Sequence, residues 1–210
     1  EAKKAASKPA AKPASKPAAK TAAKAAAKRP RRPAPDAAAA RSSLTPEAWV
    51  DAATEVLVEI MDIPDNSIPI RMLQDAEAIA VIPDVIKAGF VVGGKHGKGL
   101  ISVRGADGAW SNPSFITLNG GSFGFQAGVQ SADVILVFRS KRGVDSIVNG
   151  KFTLGADAGA AAGPVGRNAQ ASTDAQLKAE ILSYSRARGL FAGVSIDGAA
   201  LQIDKKANRE

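Results

Sequence analysis

The chain has 210 residues, no cysteine, a single histidine and a net charge of +8. Without cysteine it has no disulfide and no thiolate metal site, and one histidine cannot build a histidine-based metal cluster. The charge is unevenly placed: residues 1–43 hold 12 Lys or Arg against Glu1 and Asp36, a net of +10, while residues 44–210 carry a net of −2.

Residues 1–43 are low in complexity. Lys4, Lys8, Lys12, Lys16, Lys20, Lys24 and Lys28 recur at every fourth position. On a helix they would form one row of like charge, which is destabilising. Pro9, Pro13 and Pro17 interrupt any such helix. With almost nothing to bury, the region is expected to be disordered and extended. It reads either as a solubilising spacer or as a polyanion-binding arm. Nonspecific nucleic acid and anionic lipid headgroups both suit such an arm, and it has no aromatic residue to stack on single-stranded bases.

A domain is expected over residues 44–210. It opens with a helix: Thr45 suits the N-cap and Pro46 the first helical position. Trp49, Ala53, Val56 and Ile60 recur at helical spacing, and Val50, Leu57 and Met61 widen the stripe. Glu47, Asp51, Glu55, Glu59 and Asp62 line the remainder. An interfacial membrane helix carries Lys or Arg on that face, so this one is expected to pack on a β core.

A short helix is predicted over 69–75, a strand over 78–82 and a helical turn over 84–88. From Gly89 onward, apolar runs alternate with glycines. Strands are predicted at 89–93, 99–104, 114–118, 123–129 and 133–139. A short helix follows at 143–148, then an extended stretch at 151–162. Strands at 177–186 and 190–197 close around Arg188 and Gly189. This density of short strands predicts an α+β fold, with a mostly antiparallel β core built as a sandwich or a partly closed barrel. The long N-terminal helix and short helices flank it.

Catalytic motifs do not stand up. Gly93 to Gly99 (GGKHGKG) resembles a phosphate loop but is one residue short, and Gly99 stands where Ser or Thr would hold magnesium. The glycines of 155–166 make no dinucleotide fingerprint. The serines have no base partner beyond His96. No enzyme and no cofactor are expected. Binding is the remaining chemistry. Lys95, His96 and Lys98 are expected in one tight turn, and Arg139, Lys141 and Arg142 in another. If strand pairing brings both turns to one end, amides and cations together form an anion pocket for a lipid phosphate or an inositol phosphate.

The run Gly89-Phe90-Val91-Val92-Gly93-Gly94, followed by Gly97, Gly99, Arg104, Gly108, Trp110-Ser111, Pro113, Gly124 and Gly128, resembles the SYLF domain family. Val134 to Phe138, Gly155 with Asp157, Gly163 to Arg167 and the stretch YSRARGLFAGVSIDG at 184–198 extend the likeness over roughly residues 47–205. The resemblance implies a noncatalytic module for anionic phospholipid or phosphoinositide headgroups. Actin follows only by analogy with eukaryotic members. It further implies that Trp110 sits inside the sheet and that the chain is a bacterial-type member of the periplasm or cell envelope, with the cytoplasm as the alternative. No 18-residue apolar run is present, so no membrane-spanning helix is expected. Glu1 in place of an initiator Met fits a removed targeting segment.

Overall fold

The computed structural model describes residues 45–63, 67–89, 92–123, 128–150, 152–166, 178–187, 190–196 and 198–209. The expected disorder of residues 1–43 lies outside them. Helix α1 (Pro46–Met61) begins where the sequence places it: Thr45 is extended, and its hydroxyl accepts from the Ala48 amide at 3.4 Å. Two shorter helices follow, α2 (Ile70–Gln74) and α3 (Lys141–Val148). The strands are β1 (Ala78–Gly89), β2 (Val92–Val103), β3 (Ser114–Phe123), β4 (Gly128–Phe138), β5 (Phe152–Thr153), β6 (Ala160–Ala162), β7 (Ile181–Ala187), β8 (Leu190–Gly193) and β9 (Ala199–Ile203).

All nine strands join one sheet, in the order β5-β9-β3-β2-β1-β4-β7-β6, with β8 paired to β7. Every described pair is antiparallel except β6 with β7. Helix α3 packs on both β4 and β9, although three strands separate these two in the sheet. A helix about 10 Å wide reaches both only because the sheet curls around it. The fold is therefore the partly closed barrel of the expected α+β class, a half-barrel.

The inner face of the curl holds Ile82, Ile101, Ile116, Leu118, Leu136 and Phe138, packed with Val144 and Ile147 of α3. Phe138 meets Phe152 there, with ring centroids 6.5 Å apart. The outer face holds Val81, Leu100, Ile135, Val137 and Tyr184 beneath Val56 and Ile60 of α1. Each such aliphatic side chain contributes about 1.5–3 kcal/mol on full burial. The apolar stripe of α1 thus serves the sheet, as its acidic outer face predicts.

Two segments expected to reverse the chain are strand instead. The helical turn expected at 84–88 is a continuation of β1, and the turn expected around Lys95 to Lys98 is the middle of β2. In β2 the glycines permit close packing instead of chain reversal. A Cβ on Gly97 would fall 2.8 Å from Cγ2 of both Ile82 and Val85, and one on Gly99 would fall 2.7 Å from the Ile82 Cα. β1 itself bulges between Ile82 and Val85, where it gains a residue over β2 and over β4. Asp84 takes φ of +50° in that bulge. The extended stretch expected at 151–162 divides into β5 and β6 around a tight turn, with Leu154 bridged to Ala158. The closing strands β7 and β8 pair as predicted, and Arg188 and Gly189 lie outside the described residues.

Candidate functional site

The two predicted cation groups do not meet. Lys95 lies on β2 directly opposite Lys87 of β1, and strand alternation puts this pair on the inner face with Gly97 and Gly99. His96 and Lys98 point to the outer face. The exposed His96 joins its Nδ1 to Asn119 Oδ1 at 2.6 Å. Lys98 Nζ lies 3.5 Å from Asp204 Oδ2. Arg139 instead follows the end of β4 that pairs with Ala78, and Lys141 and Arg142 open α3. Nine residues of β1 separate Ala78 from Lys87, roughly 30 Å of strand. Arg139 Nη1 donates to the Ala179 carbonyl at 3.4 Å, and Arg142 sits 3.9 Å from Glu180. The single pocket expected from two adjacent turns is not formed, because Lys95, His96 and Lys98 are in a strand and alternate between its faces.

What the structure does form is an apolar groove on the outer face, of about 290 Å³. Val50, Ala53, Thr54 and Leu57 of α1 make one wall, and Ile79, Val81, Leu100 and Ser102 make the floor. Trp110 and Pro113 complete it. Trp110 is 42 % exposed, which corrects the expectation that it plugs the core. It is held in place by an isolated bridge to Arg104, whose guanidinium carbon lies 4.9 Å from the ring centroid. Arg104 is anchored in turn by donating to the carbonyls of Leu73 and Gln74 at the end of α2. A cation held this way keeps the indole at the rim.

The wall of the groove is fixed by a charge network. Asp133 is buried at 2 % exposure. Its Oδ2 accepts from Arg186 Nε and Nη2 at 3.0 and 2.9 Å, and its Oδ1 accepts from the Asp84 amide in the β1 bulge at 3.0 Å. Arg186 Nη1 also donates to Glu59 of α1. Arg186 therefore ties the helix to β4 and β7.

Asp204, beside Lys98, has a lowered pKa. Burial raises it, but the amides of Ala207 and Lys206 and the Lys98 charge outweigh that effect. Among the described residues no group of three or more His, Cys, Asp or Glu could hold a metal ion, and no helix is long and apolar enough to cross a membrane.

Residues 119–210 match the Ysc84 family, described as "Las17-binding protein actin regulator". The chain is 36% identical over 164 residues to SH3 domain-containing YSC84-like protein 1 of Rattus norvegicus, covering 75% of this chain and 48% of that protein. It is 39% identical over 149 residues to Protein YSC84 of Saccharomyces cerevisiae, covering 70% and 32%. The chain carries a Ysc84/SYLF-family domain. An SH3 domain-containing protein of Schizosaccharomyces pombe is 42% identical over 145 residues, covering 68% of this chain and 34% of its own length. The chain thus spans about half of the rat SYLF protein's length and about a third of each yeast one. These relatives are eukaryotic; they carry the SYLF assignment and add nothing to the bacterial-type one. The sequence reading missed the groove, yet the signal was present. Val50 and Leu57 broaden the α1 stripe beyond what one helix–sheet contact uses.

Proposed function

We propose that this chain is a noncatalytic SYLF module that binds anionic phospholipid at a membrane surface, with residues 1–43 adding long-range attraction. The observation that carries the reading is the apolar groove with Trp110 half exposed at its rim. An indole has an apolar body and one polar N–H, which suits the boundary between lipid and water. The carboxylates of α1 repel an anionic surface, so the attraction must come from cations elsewhere. Each basic residue near such a surface contributes about 1 kcal/mol, and the first 43 residues carry a net of +10.

Co-sedimentation with phosphatidylcholine vesicles, with and without phosphatidic acid, tests this. The full chain should pellet with the anionic vesicles. Residues 44–210 alone should bind more weakly but keep a remainder that resists salt, because raising salt from 0.1 to 1 M shortens the Debye length from about 10 to about 3 Å. If residues 44–210 show no preference for anionic vesicles at low salt, the domain is not the lipid-binding element. The second reading then takes over: a Lys-rich arm, with lysine at every fourth position from Lys4 to Lys28, binding nucleic acid or another polyanion.

A further inference from the structure

The groove has a chemistry more specific than membrane contact. Resting on the lipid reading, the geometry points to one acyl chain of an anionic phospholipid as its occupant, with the lipid phosphate at Lys98.

The lining suits an apolar chain better than a peptide. Its two hydroxyls are both committed within the protein: Thr54 Oγ1 donates to the Val50 carbonyl at 2.9 Å, and Ser102 Oγ donates to the Ser111 carbonyl at 2.8 Å. An extended peptide laid there would leave its own amides and carbonyls unpaired, which is unfavourable. An acyl chain has none to satisfy. Size agrees. A cavity of about 150 Å³ accepts benzene. By that scale the groove, at about 290 Å³, takes one chain of about twelve carbons.

Charge fixes the direction. Along the outer face of β2 the side chains run Lys98, Leu100, Ser102, and then Arg104 with Trp110 bridged to it. A cation flanks each end. Arg104 donates to the carbonyls of Leu73 and Gln74 beneath the indole. The Lys98 side chain is 42% exposed and lies about 7 Å along the strand from Leu100. Its neighbour Asp204 is already engaged, accepting from the Lys206 and Ala207 amides at 3.1 Å. Lys205 and Lys206 are exposed beside it. Lys98, Asp204, Lys205 and Lys206 together carry a net of +2. An ammonium has three donors, so one long contact to Asp204 leaves capacity for a phosphate oxygen.

The test uses the full chain with Trp49→Phe, which leaves Trp110 as the reporter, and phosphatidylcholine vesicles containing phosphatidic acid with or without bromine on its acyl chains. Pelleting reports binding, and fluorescence quenching reports contact between Trp110 and a chain. Brominated lipid should quench Trp110 at least twofold. Thr54→Phe fills the groove from an exposed helix position and should abolish the quenching and the salt-resistant share of pelleting, leaving only the salt-sensitive share that residues 1–43 supply. Lys98→Ala should weaken vesicle affinity about fivefold at 0.1 M salt. Vesicles that pellet the protein without quenching overturn the groove assignment and leave the lipid reading standing. So does quenching that survives Thr54→Phe, since Trp110 would then be dipping into the bilayer with the groove blocked. No pelleting with either vesicle overturns both. Should Trp49→Phe unfold the chain, 5-fluorotryptophan-labelled wild type resolves the two indoles by fluorine NMR. A short-chain phosphatidic acid should then shift the Trp110 resonance and spare Trp49; an unmoved Trp110 resonance refutes the assignment.

Discussion

Asp133→Ala should be among the most damaging single substitutions in the domain. The carboxylate is 2 % exposed and receives two bonds from Arg186 and one from the Asp84 amide. Removing it takes the buried carboxylate from Arg186, whose side chain is 12 % exposed; the ion pair with Glu59 remains, and Glu59 is 39 % exposed. A screened pair of that kind contributes about 1 kcal/mol or less. Loss of the buried charge pair and of the bond from the bulge amide together puts the cost at about 3–5 kcal/mol, a large share of the 5–15 kcal/mol that holds typical domains together. Replacing both partners, Asp133→Leu with Arg186→Met, removes the buried charge as well. The double variant should therefore be at least about 2 kcal/mol more stable than the sum of the single losses predicts. Guanidinium unfolding followed by tryptophan fluorescence measures each value, and an unchanged slope shows that the same surface is exposed. A loss below about 1 kcal/mol for Asp133→Ala, or single losses that simply add, would refute the network as the tie between α1 and the sheet.

Three further outcomes follow from the same geometry. Tyr184 is the chain's single tyrosine; burial drives its pKa well above the usual 10.0, outweighing the Arg139 charge, which lowers it. Its neutral form therefore stabilises the fold below pH 10, and that stability is lost as the pH rises further, so absorbance should show phenolate only as the protein unfolds. Its hydroxyl has no hydrogen-bond partner among the described residues, and Tyr184→Phe should be neutral or stabilising by about 1 kcal/mol in thermal unfolding. Gly99→Ala should cost about 1–3 kcal/mol, because its Cβ meets the β1 backbone, whereas Gly121→Ala, with nothing within 4 Å, should stay within about 0.5 kcal/mol. Asp204 should titrate below 3.8 by NMR; its contribution is present above that pH and lost as the pH falls through the lower folded value, and Lys98→Ala should move the midpoint upward.

Much of the fold was legible because local chemistry decided it. Thr45 and Pro46 set the start of α1; α3 starts at Lys141, two residues before the expected Gly143, because Ser140 caps it by accepting from the Gly143 amide at 3.4 Å. Periodicity marked the helix stripe and most strands. Glycine misled the reading of β2, since the same residue serves a turn or a close packing contact, and in β1 the bulge after Ile82 was read as the start of a helical turn. The spacing of two between Gly97 and Gly99 was the available clue, as it places both on one face of a strand. The cation pocket was illegible for a different reason: it depended on which strand ends coincide, and only the register shows that. The Glu59–Arg186–Asp133 network joins residues 127 and 53 positions apart, and no local pattern announces it. The mobility expected of residues 1–43 lies outside the described residues.

The bulge in β1 sets the phase of the strand. Ala78, Ala80 and Ile82 face inward at even positions, and after the extra residue Val85 faces inward at an odd one. Pro83 has no N–H to give a central strand, and it stands at the one place where the ladder on both sides is already interrupted. Removing a single residue between Ile82 and Val85 would exchange the two faces of everything up to Gly89, turning Lys87 outward and Ile86 inward. In this half of the strand the number of residues is therefore a strict requirement: a one-residue deletion cannot be absorbed.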